Sequence, residues 1–317
     1  MGKDAGMNGF RFGFTALDIP SREAFVERCR RAERYGYDVV NLPDHLGIPS
    51  PFVTAVAAAD ATERLRVGTL VLNAGFWNAH LLAREIMTAD RLTGGRVEVG
   101  LGAGFVKWEF EAAGILWEPF AARVARLAAL IEELGRLFAS PGYALNEPMF
   151  EHFGVTELAP VQRTGFGGAG PPLLVGGTGD TVLRIAARHA GIVGVAGTFQ
   201  VPGEPPGTLR IGTAEQAAER VAFVRAQAGD RADAIEWNTL VQHVEITADR
   251  RSAAERVRAE RLPYLTVEQI LDTPFLLIGT RAQIAEQIRE RRERFGFSYV
   301  CVLGPYTDAL GSVIEQL

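Results

Sequence analysis

Between Leu65 and Trp108 the chain reads LRVGTLVLNAGFWNAHLLAREIMTADRLTGGRVEVGLGAGFVKW: a strand, a helix, a second strand and then a glycine-rich loop. A crossover of that order joins parallel strands and leaves the loop at a strand's carboxyl end, where α/β barrels keep their chemistry. Upstream, Pro43, Asp44 and His45 follow the apolar strand Asp38–Leu42, so a carboxylate and an imidazole stand at another such end. Two polar clusters on one rim point to a site.

The alternation continues on both sides. Strands read at Phe10, Asp38, Leu65, Arg96, Pro172, Ile192, Trp237 and Ser298, nearly all followed by helices, with about thirty residues per unit, as a βα crossover requires. The helix Ser21–Tyr35 stops at Gly36, a residue suited to the left-handed cap. The helix that begins near Pro119 carries Phe120, Val124, Leu127, Ile131, Leu134 and Phe138 on one stripe, and capping boxes at Thr213/Gln216 and Thr280/Gln283 open two more. The expected fold is α/β, a single (β/α)8 TIM barrel, rather than a doubly wound sheet. Polar and glycine clusters follow many different strands, whereas a doubly wound sheet gathers them at one switch point. Ser140–Gly170 and Phe199–Gly207, rich in Gly and Pro, read as rim insertions. Residues 1–9 read as a flexible tail and 10–317 as one domain.

The bulk composition narrows the function classes. With 317 residues, 47% apolar and 22% charged, the chain is long enough to bury a large core. It holds no apolar run near the roughly 20 residues of a membrane helix. The net charge of −5 is dispersed, and the densest basic run, RERRER at Arg289–Arg294, alternates with Glu290 and Glu293, the pattern of a solvated helix face. Neither a membrane nor a nucleic acid is an expected partner. The two cysteines, Cys29 and Cys301, read as small core residues in a reducing compartment. The segment MGKDAGMNG has no secretory signature, and Gly6 stands where a myristoylation signal needs Ser or Thr, so a cytoplasmic protein is expected. His152, His189 and His243 lie too far apart for metal-ligand spacing, and no metal site is expected.

Asp44 and His45 are the first candidates for chemistry, since an imidazole titrates near neutrality and a neighbouring carboxylate can fix its tautomer. As adjacent residues on extended backbone their side chains diverge, so one should face the mouth while the other braces the rim. Gly68 inside the strand at Val67–Asn73 marks a bulge or a close backbone approach. Gly100, Gly102 and Gly104 spell a glycine loop that, by itself, is as well read as a tight turn as a phosphate cradle. The run VGGTGDTVLRIAARHA (Val175–Ala190) is the better anion site, because Gly176, Gly177 and Gly179 lead from a strand into a helix N-terminus. Asp180 in its first turn opposes an anion, with Arg184 as the candidate to compensate. Glu109 is either an acid of the site or an exposed helix-start carboxylate.

With Asp44-His45, VGTLVL, DRLTGGRVEVGLGAG, PPLLVGGTGDTVLRIAARHAGIVGV and FLLIGTRAQIAEQIRERRERFGFSYVCVL in that order, the chain resembles the luciferase-like monooxygenase superfamily, in its branch of coenzyme F420-dependent oxidoreductases. The resemblance implies a bacterial luciferase-like barrel holding a deazaflavin, coenzyme F420, across its carboxyl-end mouth, with FMN as the alternative cofactor. It implies His45 and Asp44 as catalytic residues against the ring, a non-prolyl cis peptide at Leu70–Val71 behind it, and ring contacts from Ala103, Gly104 and Phe105. The cofactor's phosphate-bearing tail falls to Gly176, Gly177 and Gly179. Where relatives commonly show an Arg-His-Pro run this chain has Trp77, Asn78, Ala79 and then His80. Phe76, Trp77, Asn78, His80, Trp108 and Glu109, with Phe105, are therefore expected to line a pocket for a fairly apolar organic substrate. Two further readings stay open, an FMN-dependent two-component monooxygenase fed by a partner reductase and a flavin-binding barrel without turnover. By analogy a homodimer is expected.

Overall fold

The computed structural model describes residues 9–140, 152–154, 157–205 and 207–317. The expected tail, apart from Gly9, and residues 141–151 of the first expected insertion lie outside them. In chain order the first half runs β1 (Arg11–Thr15), α1 (Arg22–Tyr35), β2 (Val39–Leu42), α2 (Pro51–Asp60), β3 (Arg66–Thr69), β4 (Leu72–Asn73), α3 (Ala79–Leu92), β5 (Val97–Gly102), α4 (Lys107–Ala112) and α5 (Phe120–Ala139). It continues through β6 (Leu173–Gly176), α6 (Asp180–His189) and β7 (Ile192–Val195) to a hairpin, β8 (Thr198–Gln200) and β9 (Leu209–Ile211). The last part holds α7 (Ala214–Ala228), β10 (Glu236–Val241), β11 (His243–Ile246), α8 (Arg250–Glu260), α9 (Val267–Asp272), β12 (Leu276–Gly279), α10 (Arg281–Phe295), β13 (Phe297–Val302) and α11 (Thr307–Ile314).

The barrel staves pair in the order β3-β2-β1-β13-β10-β7-β6-β5-β4, every pair parallel, and β3 also pairs with β5, which closes the ring. Because β3 and β4 form one interrupted stave, the barrel is the eight-stranded (β/α)8 cylinder that the alternation predicts. The expected start and stop signals operate. Ser21 accepts from the Ala24 amide, Gly36 takes φ 91°, and the Thr213/Gln216 and Thr280/Gln283 boxes are both formed. A third box, Thr266/Gln269, opens α9.

Two expected strands come out differently. Leu65–Leu72 is broken between Thr69 and Leu72, and Trp237–Ile246 divides at Gln242. Its first half is the stave β10. Its second half, β11, leaves the barrel to pair with β12 over a small satellite core that includes Val257, Leu262, Leu265, Ile270 and Ile278. Each half mixes β-branched or apolar residues with polar ones, EWNTLV and then HVEI, and no glycine or proline between them marks the change of sheet. The expected insertion at Phe199–Gly207 is built around the antiparallel β8–β9 hairpin.

Inside the cylinder the side chains change character from one end to the other. At the amino end Arg11 bonds Glu98 and, at 2.6 Å, Glu236, while Arg66 reaches Glu98 at 2.5 Å. Above this charged layer Val39, Leu174, Ile192 and Tyr299 pack together. Toward the carboxyl end the inner faces of β5, β6 and β7 are glycine, at Gly100, Gly102, Gly176 and Gly194, and Val71 reaches in beside the first three.

Candidate functional site

The carboxyl-end mouth is built from the loops after β2, β3, β5 and β6. The Leu70–Val71 peptide, in the break between β3 and β4, is cis, as the resemblance implies. Val71 lies over the glycines of the neighbouring staves: a Cβ on Gly102 would stand 2.7 Å from Val71 Cγ2, and one on Gly176 3.3 Å from Val71 Cγ1. That stretch of wall is therefore peptide backbone, a flat face against which a planar ring can lie closely.

Asp44 and His45 do diverge. Asp44 turns into the rim, where one oxygen accepts from the Asn73 amide at 3.1 Å and from Trp77 Nε1 at 2.9 Å. Burial raises its pKa above the usual carboxylate value, and the Trp77 and Asn73 hydrogen bonds oppose the shift without cancelling it. Asp44 thus joins the β2 loop to the segment after β4. His45 is half-exposed, and its Nδ1 lies 3.0 and 3.1 Å from the two oxygens of Glu109, which also accepts the Leu46 amide at 3.1 Å. Of the two readings of Glu109, the exposed helix-start carboxylate is corrected: the residue is 2% exposed, turned inward from the first turn of α4. A carboxylate accepts, so the proton sits on Nδ1, and Nε2 is the nitrogen left to work at the mouth. The Phe105 ring meets His45 edge-on with centroids 5.9 Å apart.

The structure brings some expected substrate residues to the rim and not others. Phe105 and Trp108 are 49% and 56% exposed, Phe105 against His45 and Trp108 next to Glu109 in the chain. Trp77 packs against Phe52 with centroids 5.6 Å apart and spends its N–H on Asp44. Phe76 packs on Phe110, Asn78 caps α3 by accepting from the His80 and Leu81 amides, and His80 Nε2 faces Glu133 on α5 at 3.7 Å. Trp77 thus braces the segment against α2, while Phe76, Asn78 and His80 meet α4, α3 and α5. The polar residues of that run satisfy a helix start, a local demand that the substrate reading overlooked.

At the expected anion site, Gly179 caps α6 without a side-chain bond, leaving the first-turn amides for a ligand. The compensating cation is not Arg184, which stacks over Phe223 at 5.2 Å, but Arg220 of α7, whose Nη1 lies 2.5 Å from Asp180 Oδ1. Forty residues of sequence separate the two, so no local pattern pairs them. Gly104, the last expected ring contact, has φ 72°, and a Cβ there would overlap Asn73 Oδ1. Among the described residues no cluster of His, Cys, Asp or Glu could hold a metal ion, and no helix is long and apolar enough to cross a membrane.

Known proteins match this arrangement along almost the whole chain. The family profile described as luciferase-like monooxygenase matches residues 10–299. An F420-dependent glucose-6-phosphate dehydrogenase from Kribbella flavida is 26% identical over 306 residues, covering 89% of this chain and 88% of the relative. The 4-hydroxyprotoasukamycin monooxygenase of Streptomyces nodosus subsp. asukaensis is 29% identical over 87% of this chain and 74% of its own length. Among solved structures, an F420-dependent secondary alcohol dehydrogenase in complex with an F420-acetone adduct superposes with a TM-score of 0.69 at 16% identity, covering 96% of this chain and 98% of that one. At that identity the likeness speaks for the fold.

Proposed function

This chain belongs to the luciferase-like monooxygenase family, and within it we propose that the protein is a coenzyme F420-dependent oxidoreductase acting on a fairly apolar organic substrate. The observation that carries the reading is the His45–Glu109 pair beside a mouth walled by Gly102, Gly104 and Gly176. The residues fit such a cofactor. The glycine wall and Val71 offer a flat seat, and the α6 start, with Asp180 neutralised by Arg220, offers amides to a phosphate. When bound, the deazaflavin supplies a carbon centre that gives or takes a hydride.

The chain's own part is orientation and a proton. Glu109 holds the imidazole by Nδ1 so that Nε2 is presented to the substrate oxygen, giving a proton to it or taking one from it. Phe105 and the exposed rim residues Leu46 and Trp108 exclude water from the reacting groups. The buried Glu109 carboxylate behind His45 repels a phosphate dianion, which favours a neutral, apolar substrate over a sugar phosphate such as that named for the Kribbella relative.

Titration of the purified protein with F420 and with FMN, followed by fluorescence quenching, tests the reading. Tighter binding of F420 is expected. Binding of FMN tenfold or more tighter, with oxygen uptake in the presence of reduced FMN, would replace it with the monooxygenase reading.

A further inference from the structure

Arg123, one turn into α5, is a cation with almost no solvent: it is 4% exposed. Its guanidinium stacks on the Trp117 ring at 3.8 Å and donates from Nε to the Glu118 carbonyl at 3.2 Å and from Nη1 to the Gly104 carbonyl. Among the described residues no carboxylate pairs with it. The nearby Glu118 carboxylate is engaged with Arg126 at 2.6 Å. Burial lowers its pKa accordingly. A buried charge without an ion-pair partner is costly, and one of the groups this one holds belongs to the loop at the mouth.

The geometry of the peptide gives that grip a consequence. In a trans peptide the carbonyl and the following N–H point in opposite directions. With the Gly104 carbonyl bonded to Arg123 of α5, the Phe105 N–H points away from that guanidinium. Among the described residues nothing accepts from that amide. Asn73 Oδ1 lies where a Cβ on Gly104 would stand, so a side chain there is excluded, and Gly104 takes the left-handed φ of 72°. Arg123 also withdraws electron density from the peptide through its carbonyl, which strengthens the N–H as a donor.

We propose that Arg123 is a positioning residue that fixes the Gly104–Phe105 peptide with its N–H aimed into the mouth, as a hydrogen-bond donor to a carbonyl oxygen of the bound deazaflavin ring. The proposal rests on the functional reading above and adds to it a residue outside the mouth that tunes the seat from behind.

Protein labelled with ¹⁵N-phenylalanine, with the Phe105 amide assigned by its disappearance in F105L, is titrated with F420 and followed both by amide resonance and by the absorption maximum of the ligand. In the wild type the Phe105 amide is expected to move downfield on binding. In R123K, which keeps the charge but loses the planar fork, that movement shrinks, the ligand's absorption maximum shifts, and its Kd rises about tenfold, the scale of one charge-assisted hydrogen bond. A merely structural Arg123 would lower the unfolding temperature of R123K yet leave the amide shift and the bound spectrum as in the wild type, and that result overturns the proposal. So does a wild-type Phe105 amide that ignores bound F420. Failure of the wild type to bind F420 at all overturns the functional reading together with this extension of it.

Discussion

The two ends of the barrel bury carboxylates under opposite terms. At the amino end Glu98 is enclosed by Arg11 and Arg66, and Arg11 also pairs with Glu236. At the carboxyl end Asp44 is buried with only neutral N–H donors from Asn73 and Trp77, and Glu109 with an imidazole whose second nitrogen is free to face the mouth. One end cancels its charges and the other aims them, which is how the same cylinder separates stability from chemistry. The contrast extends to bulk, since Tyr299, Leu174 and Ile192 fill the lower barrel while the upper inner faces of β5 to β7 carry no side chains.

The contrast is broken most severely by removing what the carboxyl end aims. His45→Ala should lower kcat about 10²- to 10⁴-fold, the usual worth of a general acid or base, while the urea midpoint stays close to wild type because the imidazole is 37% exposed. If stability collapsed with activity, His45 would belong to the packing instead. Glu98→Ala should do the reverse. Removing the buried carboxylate leaves part-buried Arg66 without its ionic partner and Arg11 with Glu236 alone, a loss of about 3 kcal/mol of unfolding free energy, with binding at the mouth retained by whatever fraction stays folded.

Glu98 and Asp44 should also answer pH with opposite signs. Although burial works against it, Arg11 and Arg66 hold the Glu98 carboxyl below its ordinary 4.5, so its stabilising contribution is present above that value and disappears as pH falls through the lowered pKa. Burial raises Asp44 above 3.8, so its contribution is present below that value and disappears as pH rises through the raised pKa. Unfolding free energies of Glu98→Gln and Asp44→Asn measured between pH 3 and 7 should therefore diverge from wild type in opposite directions. Parallel curves would mean that the ends are electrostatically alike.

The smallest effect concerns the α6 start. Asp180→Asn removes a negative charge from the expected phosphate turn and should tighten inorganic phosphate or cofactor binding by a few-fold, about 0.3 to 1 kcal/mol, with the gain shrinking in high salt. An unchanged affinity would mean that Arg220 already silences Asp180 completely.

Much of this was readable in the chain because it is local. Strand periodicity, Gly36, and the Thr-x-x-Gln boxes each act within a few residues, and they set the staves and helix starts of the barrel. The glycines of β5 and β6 flagged the mouth, although their burden is spatial: each is needed because Val71 arrives from another stave. What escaped the reading is what joins distant residues. Glu109 was legible as an acid near the loop, but its bond to His45 spans 64 positions, and the Arg220–Asp180 pair spans 40. Arg123 lies beside the apolar stripe of α5 and reads as surface polarity until Trp117 and Gly104 are seen to enclose it. In the run Trp77–His80 the capping role of Asn78 was not read, because an amide that caps a helix looks, in one dimension, like an amide that greets a ligand.

The glycine lining of the upper barrel has an evolutionary corollary. A seat made of bare main chain presents the same amides and carbonyls whatever the neighbouring residues become, so it is insulated from most change and vulnerable to only one kind, the addition of bulk. Rim positions such as Trp108 and Leu46 are under no such restriction. Change at the lip can thus proceed while the main-chain face underneath keeps its form.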